Sequence, residues 1–277
     1  MTAHNGGIRN SSTFMATSAR TPQQQLRAPG LALLALEFRA PLEFGSLLPA
    51  WPALQRAPSG DGHTVLVFPG LSASDATTIP LRGYLNMLGY ETRGWSQGFN
   101  FGPRAGVLQT ARRGLTRACD ESGRKVSLIG WSLGGVYARE LAKEMPDHVR
   151  CVITLGAPFA APPKATNAWR IYELTSGLDI ERDHERLDLL TAPPQPTTSI
   201  YSRSDGIVPW RGSLQQAHHA HTENIEVVAS HLGLGLNPST WWAVADRLAQ
   251  PEGRWRPFQR AGLFGLKSFI YPDPNRD

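Results

Sequence analysis

The sequence has little cysteine and no long apolar run. Its two cysteines, Cys119 and Cys151, fall near the end of a predicted helix and in a predicted buried strand, so we expect two free buried thiols rather than a disulfide framework. The apolar stretch at residues 31–36 is too short for a membrane span or for the core of a signal peptide, and Glu37 follows it. We therefore predict a soluble, cytoplasmic protein.

Dense runs of one charge are also missing. The net charge of the 277-residue chain is +5, and its arginines are scattered among apolar residues, so no nucleic-acid-binding module is expected. Hydrophobic residues make up 41% of the chain and charged residues 18%, as in an ordinary folded protein. This length can form one large α/β domain with a sizeable core.

The two ends of the chain differ in composition from its centre. Residues 1–28 are polar and rich in Ser, Thr and Gln, which predicts a disordered tail. From Pro29 to Leu48 the apolar spacing predicts a helical segment, broken near Pro41, that covers the domain; a membrane-surface helix is the alternative. In the extension at 251–277, aromatic and basic residues predict a tail that wraps the domain, with a membrane-facing edge or a partner site as the alternative.

Between residues 29 and 250 short apolar runs alternate with segments of helical spacing. The predicted strands are Thr64–Phe68, Tyr90–Trp95, Lys125–Ile129, Val149–Leu155, Pro196–Tyr201 and Asn224–Val228. The predicted helices are Thr78–Leu88, Pro103–Cys119, Leu133–Glu144 and Pro238–Leu248. This alternation predicts an α/β fold with a mainly parallel sheet flanked by helices. The strand-free interval at 159–194 predicts a small helical cap over the carboxyl ends of the strands.

A serine stands between a predicted strand and a predicted helix, in the sequence Gly130-Trp131-Ser132-Leu133-Gly134. A Gly-x-Ser-x-Gly pattern in this context is typical of a sharp turn that exposes a nucleophilic serine, where larger neighbours would clash. We therefore predict that Ser132 is a nucleophile; a plain structural turn is the alternative.

A serine nucleophile needs a base, and in this architecture the base comes late in the chain. His231 begins a glycine-rich loop after the last predicted strand, and we predict that it is the base. The other candidates are His148, His184, His218, His219 and His221. His148 is expected to be a surface or capping residue, and His184 lies among charged residues. No carboxylate or cysteine pattern supports a metal site at His218, His219 and His221.

The acid that orients the base should come between the serine and the histidine. Asp205 follows a predicted strand and precedes a glycine turn, so we predict that it holds the His231 imidazole in the required tautomer. The alternatives, Asp179 and Asp183, lie in the predicted cap and suit solvated helix charges better.

An oxyanion intermediate needs two donors. The N–H of Leu133 opens a helix, and the N–H of Leu71 follows the first predicted strand, whereas Pro69 has no N–H. We expect Asp75 and Thr77 to cap the next helix.

The chain resembles the α/β-hydrolase superfamily, and within it bacterial lipase- and esterase-like members, over residues 60–250. The matching segments are VLVFPG (65–70), GWSLGG (130–135), VITLGAPF (152–159), SDGIVPW (204–210) and SHLGL (230–234). The resemblance implies that Ser132, Asp205 and His231 form a catalytic triad, and that Leu71 and Leu133 form the oxyanion hole.

Two departures from these lipases concern the substrate. Pro69 stands where a histidine is usual, and Trp131 and Leu133 flank the serine where Gln, Met or His is common. We expect Trp131 and Asn100 to contact the substrate; the alternative for Asn100 is a hydrogen bond within its own turn.

These observations predict a serine hydrolase that cleaves carboxylic esters, lipid esters among them, through an acyl-enzyme. No cofactor or metal is expected, the substrate is a small molecule, and contact with a membrane surface is not required. Two alternatives remain open, namely an acyltransferase with the same triad and a non-catalytic binding module on the same fold.

Overall fold

A six-stranded parallel sheet forms the centre of the computed structural model, which describes residues 26–181, 188–216, 219–260, 267, 270–273 and 276. The strands are β1 (Thr64–Phe68), β2 (Glu91–Gly94), β3 (Val126–Trp131), β4 (Val149–Leu155), β5 (Thr197–Tyr201) and β6 (Thr222–Glu226). They are arranged in the order β2-β1-β3-β4-β5-β6, and every neighbouring pair is parallel. The predicted α/β architecture is confirmed.

Helices connect the strands and cover both faces of the sheet. They are α1 (Leu31–Ala35), α2 (Ala40–Gly45), α3 (Leu47–Leu54), α4 (Asp75–Met87), α5 (Val107–Ser122), α6 (Leu133–Glu144), α7 (Trp169–Ser176) and α8 (Pro238–Leu248). Short 3-10 turns lie at Leu36–Arg39, Pro146–His148, Pro163–Ala165 and Trp210–Ser213. In the described part of 159–194 there is no strand, and the wall over the sheet is formed by α7 and the turns beside it.

The alternation of side chains along buried strands divides the core into two layers. Val65 and Val67 of β1 pack with α3, α4 and α8 on one face, while Leu66 and Phe68 pack with α5 and α6 on the other. Because both faces are covered, all five residues of β1 are buried, and so are all six of β3.

Several element ends differ from the prediction. Helix α4 begins three residues early, at Asp75, so the Asp75 carboxylate does not cap it; it accepts hydrogen bonds from the backbone of Trp95 and Ser96 at 2.9 Å each. Strand β6 ends at Glu226, so His231 does not follow it directly. Such ends depend on contacts that local apolar spacing does not encode.

The N-terminal segment is helical further than predicted, up to Leu54, and its break is the 3-10 turn just before α2 rather than Pro41, which lies in the first turn of α2. It leaves many large apolar side chains exposed: Leu31, Leu36, Phe38, Leu42, Phe44, Leu48 and Trp51. By contrast, the charged side chain of Glu37 in the same segment is buried.

At the other end of the chain, Phe258 and Tyr271 pack into the core beside α8, with their ring centroids 4.8 Å apart. No helix among the described residues has the length and apolar character needed to cross a bilayer. Cys119 and Cys151 are unpaired thiols, and both are half-buried.

Candidate active site

Ser132 occupies a sharp turn between β3 and α6. Its backbone has φ 52° and ψ −121°, a conformation that side-chain-bearing residues rarely adopt. The turn is held by a hydrogen bond of 2.8 Å from the Ser132 N–H to the carbonyl oxygen of Leu155, at the end of β4. Ser132 therefore lies at the carboxyl edge of the sheet.

The glycines around the serine are required by close backbone contacts. A Cβ on Gly130 would lie 2.3 Å from the carbonyl oxygen of Gly134, and one on Gly134 would lie 2.4 Å from that of Phe68. Both distances are far below van der Waals contact, so any larger residue would force the backbone apart.

Asp205 and His231 meet at the same edge of the sheet. Both are almost fully buried, and Nδ1 of His231 lies 2.7 Å from Oδ2 of Asp205. The other carboxylate oxygen of Asp205 accepts hydrogen bonds from the N–H groups of Ile207 (2.8 Å) and Val208 (2.7 Å). The carboxylate is thus fixed by its own loop and presents one oxygen to the imidazole.

Opposing influences act on the pKa of His231. Burial alone would lower it, but the nearby Asp205 carboxylate, its hydrogen bond and the charge of Glu37 outweigh burial, so the pKa is raised above the ordinary value of 6.5. Together the negative groups favour the imidazolium form of His231.

The end of β4 joins the serine to this pair. Leu155 binds the Ser132 N–H, and the next residue, Gly156, has φ 57°. A Cβ there would lie 3.1 Å from Nδ1 of His231 and 3.2 Å from Oδ2 of Asp205. Asp205 and His231 therefore pack directly against Gly156, which follows the carbonyl that binds the Ser132 N–H.

An apolar pocket opens beside Ser132. Its wall combines residues of the loop after β1, of α6, of α7 and of the segment before β5, including Leu71, Leu133, Val136, Trp169, Tyr172 and Leu189. Carbon atoms form nearly all of the exposed lining, so the pocket suits a hydrocarbon chain better than a sugar or a phosphate.

The fold has relatives among solved structures. It is similar to Aspergillus fumigatus lipase B, with a TM-score of 0.54 and 18% identity over 70% of this chain and 53% of that one. It is also similar to the monoacylglycerol lipase of Paleococcus ferrophilus, with a TM-score of 0.53 and 16% identity over 70% of this chain and 96% of that one. The chain thus spans about half the length of lipase B.

The chain has the α/β-hydrolase fold. Its sequence matches no protein-family model and no curated protein, so the likeness lies in the arrangement of the elements. The resemblance seen in the sequence is confirmed at this level.

In this α/β-hydrolase fold the loop after β1 approaches the serine closely. A Cβ on Gly70 would lie 3.3 Å from the Cβ of Ser132. The next residues form a tight turn in which the Ala73 N–H donates to the Gly70 carbonyl (3.2 Å) and Ser72 has φ 57°. Leu71 lies within this turn, and its side chain lines the pocket.

Asn100 is fully buried and is not part of the pocket wall. Its side-chain amide donates to the carbonyl oxygen of Pro69 (2.9 Å), and its backbone exchanges hydrogen bonds of 2.7 Å with Ser72 and Ala73. Its amide oxygen accepts from the hydroxyl of Tyr137 (3.2 Å). The same oxygen accepts from the N–H of Gly102 (3.2 Å), so the predicted hydrogen bond within its own turn is present. Through the carbonyl of Pro69, Asn100 also fastens the loop after β1.

Trp131 is also buried away from the pocket wall. Its indole N–H donates to the carbonyl oxygen of His231 at 3.1 Å, and its ring packs against Gly235. The residue before the serine thus supports the loop of His231, and it does not line the apolar pocket.

The remaining polar candidates lie elsewhere. His219 binds the carbonyl oxygen of Pro193 (2.8 Å), and Asp179 accepts from the N–H of Glu181 (2.9 Å) in its own turn. His148 ends the 3-10 turn before β4. His184, His218 and Asp183 lie outside the described residues. Among the described residues, no three His, Cys, Asp or Glu side chains come together as they would around a metal ion.

An Asp–His–Ser array lies at the opposite edge of the sheet. Nδ1 of His63 is 2.5 Å from Asp61, and Nε2 is 2.8 Å from the hydroxyl of Ser127. His63 and Ser127 are completely buried, so this array has no access for a substrate and is a structural network.

Sequence reasoning missed Glu37 as a part of the site. Its carboxylate accepts hydrogen bonds from the backbone N–H groups of Gly206, His231 and Leu232. The signal in the sequence was one of two glutamates in an apolar helical segment, and by itself Glu37 indicates only the end of the first apolar run.

Proposed function

We propose that the protein is a serine hydrolase that cleaves carboxylic esters. One observation carries the proposal: Ser132, on its strained turn, shares an edge of the sheet with the Asp205–His231 pair and with an apolar pocket. A nucleophile, a base with an orienting acid and a binding pocket are the parts that acyl transfer requires.

In the first half of the proposed reaction Ser132 forms an ester with the acyl group. Its Oγ attacks the carbonyl carbon while Nε2 of His231 takes the hydroxyl proton. The tetrahedral intermediate then expels the alcohol, which receives that proton from His231. Asp205 accepts the Nδ1 proton of His231 in a hydrogen bond and stabilises the imidazolium.

In the second half a water molecule takes the place of the alcohol. His231 removes a proton from the water, which attacks the acyl carbon, and the carboxylic acid leaves as Ser132 regains its proton. The N–H of Leu133 at the start of α6 is one proposed oxyanion donor, since the first N–H groups of a helix have no acceptor within it. The N–H of Leu71 is the other.

The substrate class follows from the pocket. An acyl chain fits its apolar wall, and both similar structures named above are those of lipases. We therefore propose esters with an apolar acyl group, lipid esters included.

Substitution of the nucleophile tests the proposal. We expect Ser132→Ala to abolish hydrolysis of p-nitrophenyl esters and to prevent labelling by a fluorophosphonate, with peptide mass mapping to identify the labelled residue. Ser96→Ala is the matched control, because Ser96 also has a positive φ (58°) but is exposed on another loop. Full activity in Ser132→Ala would refute the proposal. If a dilute alcohol in water receives most of the acyl group, so that new ester rather than free acid is the main product, the protein is an acyltransferase instead.

A further inference from the structure

One buried carboxylate joins the loop of the acid to the loop of the base. Oε1 of Glu37 accepts hydrogen bonds from the N–H of Gly206 (2.7 Å), beside Asp205, and from the N–H of His231 itself (2.9 Å). Oε2 accepts from the N–H of Leu232 (2.9 Å). Glu37 lies outside the alternating strands and helices, 194 residues from His231 along the chain.

The segment that carries Glu37 packs tightly against the acid loop. A Cβ on Gly206 would lie 2.3 Å from the carbonyl oxygen of Leu33 in α1, so the two backbones are in direct contact there. Asn167 adds to this junction, because its side-chain amide donates to the carbonyl oxygens of Pro29 (3.0 Å) and Gly206 (2.7 Å).

The charge of Glu37 is not neutralised by a neighbouring cation. No salt bridge among the described residues includes it, and Arg39 binds Glu43 (2.7 Å) and the hydroxyl of Ser204 (2.6 Å) instead. Glu43 reaches the same loop through the N–H of Ser230 (2.8 Å), but its charge is offset by Arg39. In the part of the chain that the structure describes, the charged groups around His231 are therefore Asp205, Glu37 and the paired Glu43 and Arg39.

We propose that Glu37 is a positioning residue for the Asp205–His231 pair, with two effects. It holds the loops of the acid and the base at a fixed spacing, and it adds a second negative charge beside the base. Hydrogen bonds from backbone N–H groups to a carboxylate are among the stronger ones in proteins, and three of them converge on this side chain. The inference rests on the proposed ester hydrolysis, in which His231 is the base.

The test compares Glu37→Gln with Glu43→Gln in the full chain. Glutamine keeps the shape of the side chain and removes its charge, and its NH2 group can no longer accept the hydrogen bond that one oxygen received. We expect Glu37→Gln to lower kcat for p-nitrophenyl esters by roughly tenfold or more, with a smaller change in KM. The loss of negative charge should lower the pKa of His231 and move the acid limb of the pH–rate profile to lower pH.

Glu43→Gln should move that limb less than Glu37→Gln does, because the Glu43 carboxylate binds the N–H of Ser230, whereas Glu37 binds the N–H groups of His231 and Gly206 and contributes to the raised pKa of His231. Glu37→Asp keeps the negative charge but on a shorter side chain. It should therefore lower kcat, while the acid limb of the pH–rate profile moves less than in Glu37→Gln. Thermal unfolding and the fraction of enzyme labelled by a fluorophosphonate show how much of each variant is folded and competent.

A second readout does not depend on activity. The imidazole nitrogens of His231 in 15N-histidine-labelled protein can be titrated by NMR and assigned by comparison with His231→Gln. A His231 midpoint that falls more in Glu37→Gln than in Glu43→Gln supports the inference. Equal midpoints in wild type and Glu37→Gln together with unchanged kcat would overturn it. Absence of both hydrolysis and labelling in the wild type would refute the proposed function, while the NMR comparison would still decide the role of Glu37.

Discussion

At the scale of single residues, the site depends on positions where only glycine fits, because the Cβ of any other residue would clash with neighbouring atoms. Gly156 combines a left-handed backbone with a position directly beneath the acid–base pair. Gly130 and Gly134 support the strained turn of Ser132 through close backbone approach alone, since neither has a positive φ. Backbone conformation and close approach therefore act together to place the three polar side chains.

The role of Gly156 can be tested against a glycine that shares only its backbone. Gly156→Ala and Gly123→Ala both place a methyl group on a positive-φ residue, which costs about 1–2 kcal/mol of stability. At Gly123 nothing lies within 4 Å of the new Cβ, whereas at Gly156 it meets Leu234 at 2.6 Å and His231 at 3.1 Å.

We therefore expect a comparable loss of stability from the backbone in both variants, and a further loss together with a large fall in kcat only in Gly156→Ala. Urea unfolding and p-nitrophenyl ester kinetics measure the two effects. Equal kcat in the two variants would show that the contact with His231 has no effect on the reaction.

At the scale of elements, α7 forms a wall of the apolar pocket. Trp169 begins this helix and lines the pocket, while Lys164 and Arg170 lie near the faces of its ring. Because the wall lies over the carboxyl edge of the sheet, its effect should depend on how far an acyl chain extends from Ser132.

Removal of this ring should change acyl-chain preference. We expect Trp169→Ala to lower kcat/KM for long-chain p-nitrophenyl esters by about tenfold, since contact with the ring buries apolar area worth on the order of 1–2 kcal/mol. Hydrolysis of the acetate should change little. Trp51→Ala is the control, because Trp51 lies on α3 and packs on Tyr84 away from the pocket. Equal losses for acetate and laurate in Trp169→Ala would place the acyl chain elsewhere.

The helices and strands were largely predictable from the sequence. The long-range contacts that hold the site residues in place were not. The strands and the Gly-x-Ser-x-Gly turn have local signatures, namely short apolar runs and small residues around a serine. The contacts of Trp131 with His231 and of Glu37 with Gly206 join residues 100 and 169 positions apart, and no local pattern encodes them. The same reason explains Asn100, whose buried amide holds a loop that begins 31 residues earlier.

At the scale of the whole molecule, two buried histidines at opposite edges of the sheet have opposite pKa shifts. Burial lowers the pKa of His63, and the Asp61 carboxylate only partly counteracts it. The pKa of His231 is raised because its negative neighbours outweigh burial. Folding stability should therefore depend on pH in two separate ranges.

The sign of each effect follows from proton uptake. Below the ordinary value of 6.5 the unfolded chain binds more protons at His63 than the folded chain does, so stability falls as pH decreases. Above 6.5 the folded chain binds more protons at His231, so stability falls as pH increases through the raised value. These two histidines together predict a maximum of stability near pH 6.5.

Substitution of either histidine should remove one of the two pH ranges in which stability falls. We expect the free energy of unfolding of the wild type to decrease below pH 6.5 with a slope of up to about 1.4 kcal/mol per pH unit from His63. In His63→Gln the overall stability is lower, because the hydrogen bonds to Asp61 and Ser127 are disturbed, but that slope is lost. In His231→Gln, stability should still fall below pH 6.5 but should no longer fall above it. Urea unfolding between pH 5 and pH 8 measures all three proteins, and an acid limb of equal slope in His63→Gln would assign it to other groups.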